Sequence, residues 1–378
     1  MRPADIGELA GIIADAAASG ARLELRGGGS KSDIGAPREA TVVEMTGFSG
    51  VIDYDPAELV LTAAAGTPLA EIEALVSVHG QMLAFEPFDH GPIFGRASGA
   101  ATLGGVIAAG VSGSRRVSRG AVRDHLLGFK AVSGRGEAFV GGAKVVKNVT
   151  GYDLPKLAAG SWGRLAALTE VTLKVLPRPQ VTLTLALDGL DPHAAQAAMS
   201  RAMGSQADVA AAAHAANLTA LRLEGFGPSV AARRAALEAL LADAGPIHVL
   251  SDAEAQTFWR GLRDLNALQQ GSPLWRISTP PSRACAVIEA LDPLGVRWLL
   301  DWAGGLIWLT SDGEAAAVRR AAEAVGGHAM LIRAPEGVRA QTPALHAQPA
   351  GVRALEARVR RAFDPGGVFE TGRFLDAD

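Results

Sequence analysis

Apolar positions near the start of the chain recur at helical spacing. Ile6, Leu9, Ile12 and Ile13 fall on one face and predict a helix over 5–19. The short segments LELR and TVVEM (41–45) predict two strands, so the first 45 residues form a small α+β lobe. Residues 51–65 read as two strands about the turn Asp55-Pro56. Thr67-Pro68-Leu69 opens a helix to His79, with Thr67 as N-cap, Pro68 at the first position and Glu71 in the first turn. Strands follow at 126–132 and 136–140, and LAALTEVTLKVLP closes this region at Pro177-Arg178-Pro179.

Beyond that exit the texture changes. The strands VTLTLAL, ALRLEG and WLLDWAGGLIWLT alternate with alanine-rich helices at 192–203, 229–243 and 314–325. That order predicts a separate α+β unit with an antiparallel sheet. The stretch AAAAHAA (210–216) reads as helix or loop, and GVRALEARVRRAF near the end as a helix before DPGGVFETGRF.

Two glycine-rich segments interrupt the pattern. ELRGGGSK (24–31) places three glycines after a strand, where ordering them is entropically costly. Bare backbone can converge its N–H groups on an anion, but a plain surface turn is an equal reading of this segment alone. It matches neither the dinucleotide-binding G-x-G-x-x-G pattern nor the P-loop pattern. ASGAATLGGVIAAGVSGSRR (97–116) carries Gly99, Gly104, Gly105, Gly110 and Gly113. So many glycines make a regular helix there improbable, at about 1 kcal/mol each against alanine. Close approach of backbone to an extended ligand is the better account. Two such segments could grip the two ends of one long, phosphate-bearing cofactor.

Composition narrows the classes without naming one. The 378 residues carry a formal net charge of -3, which removes the general electrostatic argument for nucleic acid. The one cysteine, Cys285, excludes internal disulfides and any iron–sulfur cluster held by this chain alone. Acidic residues break the apolar positions of the N-terminus, and no apolar run approaches the about 18 residues of a spanning helix. A cytoplasmic location is expected.

A third segment, KNVTGYDLPKLAAGSWGRLAALTEVTLKVLPRP (147–179), together with RGGGSK and ATLGG, resembles the FAD-binding domain of the vanillyl-alcohol oxidase and p-cresol methylhydroxylase flavoproteins. The resemblance covers about 1–180 and implies a two-lobed, PCMH-type α+β FAD domain over 1–179, with lobes at about 1–48 and 49–179. An α+β cap at 180–338 and a C-terminal segment, 339–378, packing back on the FAD domain, complete the expectation. KNVTGYDLPKL, DWAGGLIWL and FDPGGVFETGRF are similar, within the family, to the smaller FAD-binding subunits of bacterial glycolate oxidases (glycolate dehydrogenases).

The resemblance implies that main-chain N–H groups of Gly27, Gly28, Gly29, Ser30 and Lys31 hold the FAD pyrophosphate. Ala101, Thr102, Leu103, Gly104 and Gly105 are implied at the flavin and ribityl region, with Gly110, Ser112 and Gly120 continuing that wall. Backbone around Leu168 and Val171 is implied to touch the FAD. Members that attach flavin covalently use a histidine just after the glycines. Ser30 stands there and no histidine lies between 1 and 78, so FAD is expected to be bound noncovalently. Ser161-Trp162-Gly163-Arg164-Leu165-Ala166 departs from the family's Gly-Thr-Leu-Gly at Arg164 and Ala166.

Groups for substrate chemistry are sparse. Related hydroxy-acid oxidising subunits carry a His-x-Gly-Asp-Gly-Asn-x-His metal motif in the cap. The corresponding strand here, DWAGGLIWLT, has no histidine, and no metal site is expected. Arg276 could meet a carboxylate between the domains, or be solvated or ion-paired. His90 could lie near the flavin, although loop histidines are ordinarily exposed. Trp298, Trp302 and Trp308 read as packing, or as an exposed remnant marking a subunit contact. No residue is assigned a catalytic role.

Three functions follow as expectations. The first is an FAD-bearing, electron-transferring subunit working with a larger homologous flavin subunit and an iron–sulfur subunit to oxidise glycolate to glyoxylate, with possible placement on the inner face of the cytoplasmic membrane through that complex. The second is a stand-alone FAD-dependent 2-hydroxy-acid dehydrogenase of the D-lactate type. The third is a non-catalytic assembly subunit.

Overall fold

The computed structural model describes residues 1–143, 151–269 and 271–375. Helix α1 (Ile6–Ser19) is capped by the Asp5 carboxylate, which accepts from the Glu8 amide, and ends at Gly20 with φ +72°. Its buried face, Leu9, Ile13 and Ala16, packs over the parallel pair β1 (Leu23–Arg26) and β2 (Thr41–Glu44). Val368 and Phe369, from the far end of the chain, complete this small core.

The second lobe begins with β3 (Val51–Asp55), β4 (Val60–Ala64), α2 (Leu69–Val78) and the two-residue β5 (Gln81–Met82). Two short helices, α3 (Leu103–Ala108) and α4 (Arg116–Arg119), lead to β6 (Leu126–Ser133) and β7 (Ala138–Gly142). After α5 (Leu154–Ala158), β8 (Ala166–Lys174) enters the middle of an antiparallel sheet of order β3-β4-β8-β6-β7. Strand β9 (Leu176–Pro177) pairs with β5 and ends the lobe.

The remaining strands build one antiparallel sheet of eight, order β13-β10-β12-β11-β15-β16-β14-β17. Its elements run β10 (Val181–Asp188), α6 (Pro192–Met203), β11 (Ala211–Ala215), β12 (Leu218–Gly225), α7 (Gly227–Leu240) and β13 (Ile247–Val249). Then come α8 (Asp252–Arg263), β14 (Leu274–Ser278), α9 (Ala284–Leu291), β15 (Arg297–Asp301), β16 (Leu306–Thr310), α10 (Ala315–Glu323) and β17 (His328–Arg333). Helices α11 (Glu336–Gln341) and α12 (Ala350–Phe363) carry the chain back to the first lobe. There the Leu23 amide donates to Val368 O at 2.8 Å and the Ala36 amide to Arg373 O at 2.8 Å.

Several sequence expectations change. Thr67 does not cap α2. Its hydroxyl donates to Ala64 O at 2.7 Å and accepts from the Gly50 amide, tying two loops together. The glycine-rich 97–116 does hold a helix, α3, short enough that Gly104 and Gly105 fall in its first turn. AAAAHAA forms strand β11 rather than helix or loop, because small alanines let Ala211 to Ala213 lie buried in the middle of the large sheet. WLLDWAGGLIWLT is two strands, β15 and β16, joined through a tight corner at Trp302–Gly305. Strands β14 and β17 and helices α8 and α9 were not legible as elements.

Candidate functional site

The two glycine segments meet. A Cβ on Gly28 would lie 1.6 Å from Ala100 O, and one on Gly27 would lie 2.2 Å from Thr102 Oγ1. They therefore form one face of a cleft between the two lobes instead of standing at opposite ends of a ligand. Thr102 caps α3, its hydroxyl accepting from the Gly105 amide at 3.3 Å. Gly104 presses on the 64–67 turn: its amide donates to Ala65 O at 2.7 Å, and a Cβ would strike Ala65 at 2.7 Å.

Gly27, Gly28, Gly29, Ser30, Lys31, Thr102, Gly104, Gly105 and Leu168 all line this cleft. Trp162 and Arg373 line it as well. Ala101 and Leu103 are buried just behind the wall, and the Ala101 carbonyl accepts from the Leu69 amide. Val171 is buried in the sheet core between Ala63 and Phe129, three residues along β8 from Leu168. Gly110 sits against Gly160 and lines a separate pocket facing the large sheet. Ser112 accepts from the Val122 amide at 3.0 Å, a structural bond. Gly120 ends α4 at φ +86° and lines none of these cavities, so the turn itself calls for glycine. Of KNVTGYDLPKL, residues 147–150 lie outside the described residues.

The cleft is cationic. Lys31 is 8% exposed, and burial lowers its pKa to about 8, with Asp89 opposing and Arg373 adding to the shift. Its ammonium donates to Ser30 Oγ at 3.3 Å and forms no ion pair among the described residues, which leaves donors unspent. Glu24 also faces the cleft, but Arg26 and Arg38 neutralise it at 3.1 and 2.7 Å. Arg373, pulled down to about 9 by burial and by Arg38, donates to Ile34 O at 2.9 Å and to Lys31 O. A glycine cradle, a helix cap and a buried lysine with spare donors suit a pyrophosphate.

Two positioning residues escaped sequence reasoning. Asp89 accepts from the amides of Gly91, Gly99 and Ala101 at 2.8, 2.7 and 3.1 Å and so shapes the loop that meets Gly28. Arg373 fastens the glycine loop from the opposite end of the sequence. Neither residue type at its position carries a sequence signal.

The expected substrate-side residues lie where the large sheet faces the second lobe. His90 is buried rather than exposed, stacked on Phe88 at 4.7 Å, with Nδ1 unpartnered. Desolvation, then repulsion from Lys31, pushes its pKa well below the ordinary value, keeping the imidazole neutral. Arg276 is partly buried and lies over the Trp302 ring at 5.1 Å. Trp302 and Trp308 are buried and Trp298 stacks on His214, so the cluster is not an exposed patch. No group of three or more metal-ligating side chains occurs among the described residues.

Comparison with known proteins agrees with this geometry. A profile of the FAD binding domain family matches residues 1–142. The chain is 36% identical over 356 residues to the glycolate oxidase subunit GlcE of Escherichia coli (strain K12), covering 93% of this chain and 92% of that one. It belongs to the GlcE family of FAD-binding oxidoreductases. FAD is accordingly the cofactor of this chain. A D-lactate dehydrogenase of Archaeoglobus fulgidus is 30% identical over 188 residues, half of this chain and 40% of that one. A solved alkyldihydroxyacetonephosphate synthase superposes with TM-score 0.69 at 15% identity over 98% of this chain and 76% of its own, and so shares the fold. Among the described residues no helix is long and apolar enough to cross a membrane.

Proposed function

We propose that this chain is the FAD-bearing, electron-transferring subunit of a complex that oxidises glycolate to glyoxylate. The observation that carries the reading is the single cleft in which Gly27–Gly29, the cap of α3 and the buried Lys31 converge. The near full-length likeness to a glycolate oxidase subunit supplies the substrate. In this reading 1–179 is the FAD domain, 180–338 the cap, and 339–378 a tail whose Arg373 completes the cleft. Gly27 to Lys31 hold the pyrophosphate. Thr102, Gly104 and Gly105 face the ribityl and flavin portion, with Ala101 and Leu103 packed behind them, and Leu168 sets the opposite side; Gly110, Ser112, Gly120 and Val171 support the fold around the cleft without lining it.

Bound FAD would supply the electron acceptor. The protein's own residues bind it, and burial with the nearby Lys31 keeps His90 neutral. Attachment is noncovalent, since Ser30 replaces the tethering histidine. In this reading the chain works with a larger homologous flavin subunit and an iron–sulfur subunit, whose cluster the lone Cys285 here could not hold. Such a complex could rest on the inner membrane face. Anaerobic addition of glycolate to the purified chain should leave its flavin oxidised, and bleaching should require the partner subunits. Full bleaching of the lone chain would instead establish the stand-alone dehydrogenase.

A further inference from the structure

A second feature lies outside the FAD cleft, at the seam between the second lobe and the large sheet. Trp302 occupies the β15–β16 corner with φ +53°, followed by Ala303 at φ +55°. Two consecutive non-glycine residues in the left-handed region are strained, and a bulky aromatic there is unusual. The corner holds the indole firmly. The Trp302 amide donates to Asp301 Oδ1 at 2.7 Å, and its Nε1 donates to Gly113 O at 3.0 Å, across the seam.

Two arginines from different domains converge on this one ring. Arg116, on α4 of the second lobe, lies over it at 4.1 Å, and Arg276, on β14, at 5.1 Å. Neither makes an ion pair or side-chain hydrogen bond among the described residues. Arg123 and His328 line the same pocket, with Ser278, Thr279 and Gly110. The guanidinium groups oppose one another, and burial favours the neutral form of the His328 imidazole. Burial and then Arg116 pull Arg276 down to about 10. Burial and then Arg123 lower Arg116, and burial, Arg276 and Arg116 lower His328. The two nearby carboxylates are already engaged. Asp301 accepts from Ser114 Oγ and the Trp302 amide, and Asp124 accepts from the Ala121 amide.

Two guanidinium groups stacked on one rigid ring, with no ion pair among the described residues, keep their planar N–H donors available to an anion. The planar fork of arginine matches a carboxylate bidentately. We infer that the Arg116–Trp302–Arg276 pocket is a binding site for a small organic carboxylate, with Arg123 and His328 at its rim. Gly110, just past α3, lines the same pocket, so a bound acid would sit at the junction of cap and FAD domain. The proposal rests on that reading for its meaning, because it gives this subunit a carboxylate site of its own, but carboxylate binding itself does not require flavin.

The test is calorimetric titration of the purified full chain, with its flavin, using oxalate and, separately, inorganic phosphate. Saturable one-site binding of oxalate is expected, with phosphate failing to displace it. Arg116→Gln and Arg276→Gln should each weaken oxalate about tenfold to a hundredfold, the loss of a charge-assisted hydrogen bond. Arg123 is exposed, so Arg123→Gln should fold normally and weaken binding about threefold or more. Absence of saturable oxalate binding would overturn the proposal, as would affinity unchanged in all three variants. Phosphate binding as tightly as oxalate would overturn the carboxylate assignment. If Arg276→Gln fails to fold by its melting profile, Arg116→Gln and Arg123→Gln decide. Flavin content, measured on the same samples, reports separately on the FAD reading.

Discussion

Lys31 shows what a single position contributes to the cleft. An ammonium held at 8% exposure with spare donors is costly to keep charged, and a pyrophosphate would repay that desolvation. Lys31→Met should therefore weaken FAD about tenfold to a hundredfold, the scale of one charge-assisted hydrogen bond, while leaving the melting temperature of the FAD-free protein unchanged or higher. Flavin fluorescence titration of apoprotein measures it. Gly28 is a poorer probe, because any side chain there strikes Ala100 O and would unseat the loop with or without ligand. Three glycines in a row point to a backbone demand, which a plain turn meets as well as a ligand does, so the segment alone left both readings open. The burial of Lys31 was not legible, because its surroundings come from Asp89 and Arg373, 58 and 342 residues away in sequence (89 − 31 and 373 − 31).

Asp301 is the other telling residue. Burial raises its carboxyl from the ordinary 3.8 to about 7. The sign follows from proton counts. Between about pH 4 and 7 the folded protein holds a proton that the unfolded chain has released, so stability falls as pH rises through that window. Asp301→Asn keeps an acceptor for the Trp302 amide and removes the ionisation. Urea midpoints of the variant should vary less between pH 4 and 8 than those of the parent chain, and an equal slope in both would show that Asp301 titrates normally.

At the scale of elements, α3 and the β15–β16 corner divide what pattern could and could not reveal. ATLGG reads from the sequence as backbone kept bare for a close approach, yet the same glycines hide a helix because propensity alone argues against one. The helix survives through its Thr102 cap and its bonds to the 64–67 turn. Thr102→Ala should cost about 1 kcal/mol of stability in chemical denaturation, and lower FAD retention, since the cap hydroxyl also meets Gly27. The corner failed differently. WLLDWAGGLIWLT is apolar but for Asp301 and Thr310, and no periodicity marks where a buried strand turns back on itself. AAAAHAA was misread because alanine favours helices, whereas burial between two strands decided otherwise.

Across the whole molecule, the two-lobed half and the large sheet are joined by a buried polar latch. Arg115 meets Glu86 and Glu224, each at 2.7 Å, and Arg222 meets the same two carboxylates at 2.9 and 3.2 Å. The Glu224 side chain is fully buried. Glu224→Ala would leave two arginines sharing Glu86, and should destabilise the protein by about 3–5 kcal/mol in urea unfolding. This latch holds the seam where Trp302, Arg116 and Arg276 meet. Its members come from residues 86 to 224, a pairing that no local pattern discloses, whereas the alternation of strands and helices did disclose the α+β character of both halves.

The central claim is that this chain carries FAD in the Lys31 cleft without a covalent tie. Acid precipitation of the purified chain, followed by spectroscopy and chromatography of supernatant and pellet, tests it most directly. FAD should appear in the supernatant at about one equivalent per chain. Flavin retained in the pellet, or a preparation from which none is released and none can be taken up, would contradict the account.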